Sequence, residues 1–186
     1  MFENYLKALT TQVHNIDLKN LSLAVNVLQK TYESGHTIFV MGNGGSAATA
    51  NHFAADFEKN AVGEDQHPPK IVSLASAVEK ILAYGNDFAF DTVFARQLDS
   101  LATIGDTAVF ISASGNSPNI IAAVKNAKKM GIHTIGLTGF RGGLLKETAD
   151  ICLHVPVDSY EITEDLHSIY LHMIVCSFKK IYRGLI

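Results

Sequence analysis

Apolar residues at the start of the chain recur every three or four positions, which is the spacing of one face of an α-helix. Asp17 is placed to cap a second helix, which ends near Gly35 and carries apolar residues at the same spacing. We expect the first helix to pack on a partner subunit, because two helices that precede the first strand need a surface to cover. The apolar positions are Phe2, Leu6, Leu9, Val13 and Ile16 in the first helix, and Leu21, Val25 and Leu28 in the second.

The spacing changes after residue 36, where short apolar runs alternate with helical patterns. This alternation predicts an α/β fold, a flavodoxin-like doubly wound parallel sheet with helices on both faces and ligands at the carboxyl ends of its strands. We expect one domain over residues 1–186, with a helical pair (1–35) and an α/β core (36–186). The predicted strands are residues 37–41, 71–74, 107–112, 134–137 and 151–155, and the predicted helices are 46–59, 77–84, 90–103, 117–130, 143–148 and 164–181.

A glycine-rich segment, GNGGS at residues 42–46, follows the first predicted strand and opens a helix; we call it the glycine turn. Backbone N–H groups at a helix N-terminus bind anions such as phosphate, and glycines let the anion approach closely. His52 and Asp56 follow on one face of the same helix. Alone, the turn also fits an α/β protein without a ligand there, and the pair fits an ordinary surface contact. Their combination favours chemistry on a phosphorylated small molecule.

A second polar segment, SASGNS at residues 112–117, follows the third predicted strand; we call it the serine turn. Its three hydroxyl groups and the helix N-terminus behind it suit phosphate oxygens. The alternative is a serine that caps the helix, but three serines in six residues exceed what capping requires. Residues 136–139 (GLTG) are predicted to shape the pocket wall. Residues 85–88 (GNDF) follow a predicted helix and, taken alone, fit an ordinary loop in which Asp87 caps the next helix.

The predicted last helix carries titratable residues among apolar neighbours. We expect Glu164 and Asp165 to occupy its first turn, where negative charge suits the helix dipole. At about 100° per residue, Asp165 is nearly in line with His172, whereas Glu164 is about 80° away. His167 points about 140° away from His172. Together with the His/Asp pair on the earlier helix, these residues indicate a four-ligand metal site or an acid–base site.

Composition excludes several classes of protein. The 186 residues are 47% hydrophobic and 18% charged, which is typical of a compact globular domain. The net charge is −3 without a basic cluster, which disfavours direct nucleic-acid binding. No apolar run approaches the roughly 20 residues of a membrane span, and the amphipathic N-terminus does not resemble a signal peptide. Cys152 and Cys176 lie in apolar runs and are expected to be reduced core thiols of a cytoplasmic protein.

Five segments in this order, GNGGSAATANHFAADF, GNDFAFDTVF, ISASGNSPNII, GLTGFRGG and EDLHSIYLH, resemble the sugar isomerase (SIS) domain family. Within that family they are most similar to the phosphoheptose isomerases. The resemblance covers nearly the whole chain, including the two leading helices. It implies a five-stranded flavodoxin-like sheet and a homotetramer with active sites at subunit interfaces. The implied reaction converts sedoheptulose 7-phosphate into D-glycero-D-manno-heptose 7-phosphate through an enediol, towards bacterial surface heptose.

The resemblance also implies roles for individual residues. Asp56 and His172 are the implied acid–base pair. For the position near the metal and substrate, the resemblance favours Glu164, whereas helical phase alone favours Asp165. The implied zinc ligands are His52, Asp56, Glu164 and His172, and the implied substrate contacts are Asn43, Gly44, Gly45, Ser46, Asn86, Asp87, Ser112, Ala113, Ser114, Ser117 and Glu164.

The chain departs from the family's usual pattern at three of these positions: Asp56 replaces Glu, Glu164 replaces Gln, and Ala113 replaces Thr. Asp56 is one methylene shorter, and the charge of Glu164 favours a bound dication, so the heptose substrate is less firmly implied than the isomerase class. Three other functions stay open. The first is an isomerase of another phosphosugar, the second is a non-catalytic SIS adaptor, such as the relatives that bind the bacterial replication initiator, and the third is a sugar-phosphate sensor. The retained polar set favours an enzyme, and no DNA-binding segment accompanies the domain.

Overall fold

The computed structural model describes residues 2–185; Met1 and Ile186, the two ends of the predicted domain, lie outside them. Strands and helices alternate after two leading helices, as predicted. The helices are α1 (Phe2–His14), α2 (Leu18–Glu33), α3 (Gly44–Asn60), α4 (Val78–Asp87), α5 (Val93–Leu101), α6 (Pro118–Lys129), α7 (Gly143–Thr148) and α8 (Tyr160–Arg183), with a 3₁₀ turn at Phe90–Thr92. The strands are β1 (Ile38–Gly42), β2 (Ile71–Ser73), β3 (Thr107–Ser112), β4 (His133–Thr138) and β5 (Ile151–His154).

The five strands form one parallel sheet in the order β2-β1-β3-β4-β5. The chain reverses its direction of strand addition between β1 and β3, which are neighbours. Gly42 at the end of β1 pairs with Ile111, one residue before the end of β3, so the glycine and serine turns leave the same edge side by side. The structure thus confirms the predicted doubly wound sheet, and this reversal point is where open α/β sheets bind ligands.

Helices cover both faces of the sheet because successive strand residues point to opposite sides. Ile38 and Val40 belong to one apolar cluster, which also contains the buried faces of α2, α3 and α8. Phe39 and Met41 belong to the other cluster, together with α5, α6 and α7. Strands buried on both faces read as continuous apolar runs, which explains why β1 and β3 were recognisable in the sequence.

The two leading helices differ in how they pack. Buried α2 residues such as Leu28 join the core, whereas α1 buries no residue within the described part of the chain. Phe2 is 78% exposed and Leu6 is 60% exposed, although both belong to the apolar stripe that predicted this helix. The expectation that the first helix covers a partner subunit stays a prediction.

Three expectations were wrong. The last helix begins at Tyr160 after the capping residue Ser159, so Glu164 lies in its second turn. The segment around Asp87 forms the end of α4 rather than a loop, and Asp87 does not begin a helix. Cys176 is exposed on α8 and is not a core thiol, although it is unpaired.

Among residues 2–185, no helix has the length and apolar character needed to cross a bilayer.

Candidate active site

The glycine and serine turns face a shared cleft of about 190 Å³ at the carboxyl edge of the sheet. One wall comes from the start of α3, the second from the serine turn, and the third from the first two turns of α8. We call this cavity the serine cleft. Its polar lining consists of Asn43, Ser46, Ser112, Ser114, Ser117, Tyr160 and Glu164, and its apolar lining includes Ala113 and Ile111.

The glycine turn needs its glycines for steric reasons. Gly44 has φ +53°, a left-handed conformation that side chains disfavour. A Cβ on Gly45 would lie 2.6 Å from a carboxylate oxygen of Glu164, so a larger residue here would push that carboxylate away from its present position. Asn43 occupies the N-cap position, yet its side chain caps no N–H group of α3 among the described residues. The first N–H groups of α3 therefore stay available to a ligand.

The serine turn presents its hydroxyl groups in a fixed arrangement. Ser112 and Ser117 are within hydrogen-bond distance, with their Oγ atoms 3.1 Å apart. The backbone N–H of Asn116 donates to Ser114 Oγ at 3.2 Å. Gly115 has φ +66° and packs so closely on the carbonyl of Gly142 that a Cβ would not fit. The turn is thus held in shape before any ligand binds.

The histidine and aspartate residues predicted from two distant helices meet along the contact between α3 and α8. His52 Nε2 lies 3.2 Å from Asp56 Oδ2, and His172 Nε2 lies 3.7 Å from the same oxygen. The two imidazole rings stand edge to face with centroids 5.2 Å apart. Both histidine side chains are more than half exposed and that of Asp56 is 32% exposed, so the group can be reached from solvent.

This arrangement fits a divalent metal. One donor atom from each of the three residues lies within 4.8 Å of the other two. Tetrahedral zinc with bond lengths of about 2.0–2.1 Å sets its ligand atoms roughly 3.3 Å apart, close to the two distances to Asp56 Oδ2. Two imidazoles and one carboxylate also match the three-ligand pattern of catalytic zinc, which leaves the fourth position for water or substrate.

Glu164 lies outside this group in the described part of the chain. It lines the serine cleft next to Gly45, whereas the neighbouring Asp165 is exposed and accepts a hydrogen bond from Tyr5 of α1. The side chain that faces the cleft is therefore the one favoured by the resemblance, and not the one favoured by helical phase. Of the four predicted zinc ligands, the structure brings His52, Asp56 and His172 together, whereas Glu164 lies in the adjoining serine cleft.

Two predicted substrate residues are not in the cleft of this single chain. Asn86 and Asp87 form the exposed end of α4, where the Asn86 amide donates to the Asp87 carboxylate at 2.9 Å. Residues 136–139, the predicted pocket wall, do not line the serine cleft themselves. They support the serine turn, because the N–H of Gly139 donates to the Ala113 carbonyl at 2.7 Å. Sequence reasoning missed Tyr160 and Asn119, since an aromatic residue near a helix start and an asparagine after a proline carry no distinctive signal.

Known proteins share both the sequence pattern and the fold. A family model for the SIS domain matches residues 1–139. A phosphoheptose isomerase from Campylobacter concisus is 39% identical over 186 aligned residues, which cover 99% of this chain and 98% of the relative. A phosphoheptose isomerase structure from Neisseria gonorrhoeae superposes with a TM-score of 0.88 at 31% identity, covering 96% of this chain and 95% of that one.

The same enzyme from Francisella tularensis superposes with a TM-score of 0.89 at 28% identity, covering 96% of this chain and 94% of that one. Alignments of this length span the leading helices, both turns and the residues of α8, so the similarity is not confined to a shared sheet. The chain therefore belongs to the SIS domain family and, within it, to the phosphoheptose isomerases.

Proposed function

We propose that this protein converts sedoheptulose 7-phosphate into D-glycero-D-manno-heptose 7-phosphate through an enediol. One observation carries the proposal. Asp56 and His172 lie within 3.7 Å of each other in the contact between α3 and α8, and the serine cleft lies at the other end of that contact. Along α8, eight residues separate Glu164 from His172, a rise of about 12 Å. A seven-carbon ketose phosphate has its carbonyl and its phosphate at opposite ends, which suits two separated groups of this kind.

The phosphate is assigned to the serine turn. Hydroxyl groups of Ser112, Ser114 and Ser117 surround that end of the cleft, and the N-terminus of α6 adds its positive dipole. Binding of this remote group places the reacting carbons, so that binding energy far from the chemistry contributes to the rate.

Proton transfer between C1 and C2 is assigned to Asp56. Its Oδ2 faces both histidines, whereas Oδ1 has, among residues 2–185, only the Asn60 amide as a partner, at 3.5 Å, and can take the proton. His172 would move protons at the sugar oxygens. A carboxylate that is one methylene shorter than the family's usual Glu requires the substrate to bind closer to α3.

We also propose zinc as the cofactor, one ion per subunit. His52, Asp56 and His172 would hold it, whereas Glu164, the fourth residue of the set that the resemblance implies, lines the adjoining serine cleft. Bound zinc would polarise the carbonyl and stabilise negative charge on the oxygen. In this assignment, Asp56 Oδ2 would bind the metal and Oδ1 would accept the proton, so that one carboxylate would serve both roles.

Exposed apolar residues on α4 and in the segment that follows it support the proposed homotetramer with active sites at subunit interfaces. Leu82 is 66% exposed, and Phe88 and Phe90 are 57% and 55% exposed, on the surface that carries Asn86 and Asp87. Burial of this surface against another subunit would bring those two polar residues to a partner's cleft. The free cysteines are in keeping with a cytoplasmic location, and surface heptose (lipopolysaccharide or capsule) is the proposed destination of the product.

The test is NMR spectroscopy of sedoheptulose 7-phosphate with the purified protein in D₂O, with and without added Zn²⁺. We expect a new aldose phosphate signal, with deuterium at C2 if the transferred proton exchanges with solvent. A product without deuterium would still establish isomerisation, with a shielded proton transfer. Binding without any product, at every zinc concentration, would contradict the proposal.

A further inference from the structure

Two carboxamides join the glycine turn to the helix behind the serine turn. Asn43 Nδ2 donates to Asn119 Oδ1 at 2.8 Å, and Asn119 Nδ2 donates back to Asn43 Oδ1 at 2.9 Å. Asn119 is only 1% exposed and lies in the first turn of α6. Asn43 lines the serine cleft, whereas Asn119 lies behind it. Asn119 therefore reaches the cleft through Asn43.

The pairing changes what Asn43 does for its own helix. Asn43 is the N-cap of α3 and has the extended backbone typical of that position, with φ −110° and ψ 152°. An asparagine there usually accepts a hydrogen bond from the N–H of the second or third helical residue, here Gly45 or Ser46. Its oxygen instead accepts from Asn119. No side chain among residues 2–185 caps these N–H groups.

We propose that Asn119 is a positioning residue that holds the Asn43 carboxamide away from α3 and so keeps the N–H groups of the glycine turn open to the sugar phosphate. Without Asn119, the Asn43 side chain is free to rotate and to cap Gly45 or Ser46 itself. The N-terminus of α3 would then be closed by its own residue. The effect of Asn119 on turnover rests on the proposed function, whereas its effect on the N–H groups of the glycine turn does not.

The first test needs no substrate. In Asn119→Leu, which keeps the side-chain size and removes both hydrogen bonds, we expect the amide signals of Gly45 or Ser46 to move downfield. Their hydrogen exchange should slow roughly 5- to 10-fold in the substrate-free protein. Unchanged Gly45 and Ser46 amides in the folded variant would overturn the proposal.

The second test is a double-mutant cycle on isomerisation with Asn119→Leu, Asn43→Ala and both together. Asn119→Leu should lower kcat/KM about 10- to 100-fold, mainly through KM, because the ligand and not the chemistry is misplaced. In the Asn43→Ala background, Asn119→Leu should have no further effect, because Asn119 acts only through Asn43. Additive effects would overturn the proposal.

Two controls separate positioning from folding. Asn126→Leu removes another amide of α6, which donates to Asp99 at 2.8 Å away from the cleft, and it should leave KM unchanged. Asn119→Ser serves if the leucine variant does not fold, because its short hydroxyl cannot reach both atoms of Asn43. If the wild-type protein does not isomerise the sugar, the proposed function fails, and the amide measurements still decide the role of Asn119.

Discussion

Two histidines on α8, five residues apart, have opposite surroundings. His172 is more than half exposed, and its Nε2 lies 3.7 Å from the Asp56 carboxylate. His167 is 0% exposed, and neither of its ring nitrogens has a hydrogen-bond partner among residues 2–185. Five residues turn a helix by about 140° relative to the starting face, so one ring faces α3 at the surface and the other faces the sheet.

The difference shows how burial decides what a histidine can do. Desolvation lowers the pKa of His167 to about 4, and the backbone of Thr138 counteracts this only in part. The neighbouring His154 adds to the lowering, since two positive charges so close repel each other. His167 is therefore neutral under ordinary conditions and acts as packing, whereas the exposed His172 is the residue proposed to transfer protons. The predictions below separate these two roles, beginning with the largest effect.

Removal of the proposed acid–base pair should have the largest effect. Asp56→Asn or His172→Gln should lower kcat by about 10²- to 10⁴-fold, the range for loss of a general acid or base. Phosphate-ligand binding should persist, because the serine turn is untouched. The measurement is the steady-state rate of heptose phosphate formation, with binding followed by calorimetry. Asp165→Asn, an exposed carboxylate on the same helix, is the matched control, and wild-type rates in either first variant would remove that residue from the chemistry.

Metal removal should have the next largest effect. Dialysis against a chelator should lower the rate on the order of 10²-fold, since polarisation of a carbonyl by a metal contributes several kcal/mol, and added Zn²⁺ should restore it. His52→Ala should bind less zinc, measured by elemental analysis, while its unfolding midpoint stays close to that of the wild type. A metal-free protein that keeps its full rate would show that the cluster works without zinc.

Acid should destabilise the protein through His167. The folded-state pKa of His167 is about 4, below its ordinary value of 6.5, so the unfolded chain binds more protons between these values. The free energy of unfolding therefore falls as the pH drops from about 6.5 towards 4. Between pH 7.5 and pH 5, this residue alone should account for about 2 kcal/mol, measured by urea unfolding.

The variant His167→Leu should lose that part of the pH dependence, because leucine does not titrate. His172→Gln, measured in parallel, should keep it. If the two variants and the wild type lose the same free energy of unfolding between pH 7.5 and pH 5, then burial does not hold His167 neutral and the contrast between the two residues is wrong.

Most of the fold was predictable because its signals are local. The buried strands β1 and β3 read as apolar runs, and β3 was placed at residues 107–112, as observed. The start of α8 was not predictable in this way, since Glu164 and Asp165 resemble a first turn. The helix extends back to Tyr160 because Ile162 and Thr163 are buried against the rest of the protein. Tertiary burial outweighs their modest helix propensity.

The candidate site was only partly predictable for the same reason. His52 and Asp56 share a helix face, so their contact follows from spacing. Their contact with His172 depends on the packing of α3 against α8. The local pattern indicated a shared site with the last helix but offered several candidate residues there, and the resemblance singled out His172. The Asn43–Asn119 pair joins two turns that are 76 positions apart, and neither asparagine differs in its local sequence from an ordinary residue near a helix start.

The smallest effect concerns the start of α8, the helix that carries both histidines. Ser159 Oγ accepts a hydrogen bond from the N–H of Ile162 at 3.4 Å, which is long for a cap. Ser159→Ala should therefore lower the free energy of unfolding by about 0.5–1 kcal/mol, at the low end for a lost N-cap, and Ser159→Asp should restore it. Ser168→Ala, which removes a hydroxyl bonded to a carbonyl within the same helix, is the matched control. Neither alanine variant should change the acid sensitivity assigned to His167, because the cap fixes where the helix begins and not which ring is buried. If the two alanine variants lose the same free energy of unfolding, then Ser159 does not cap the helix.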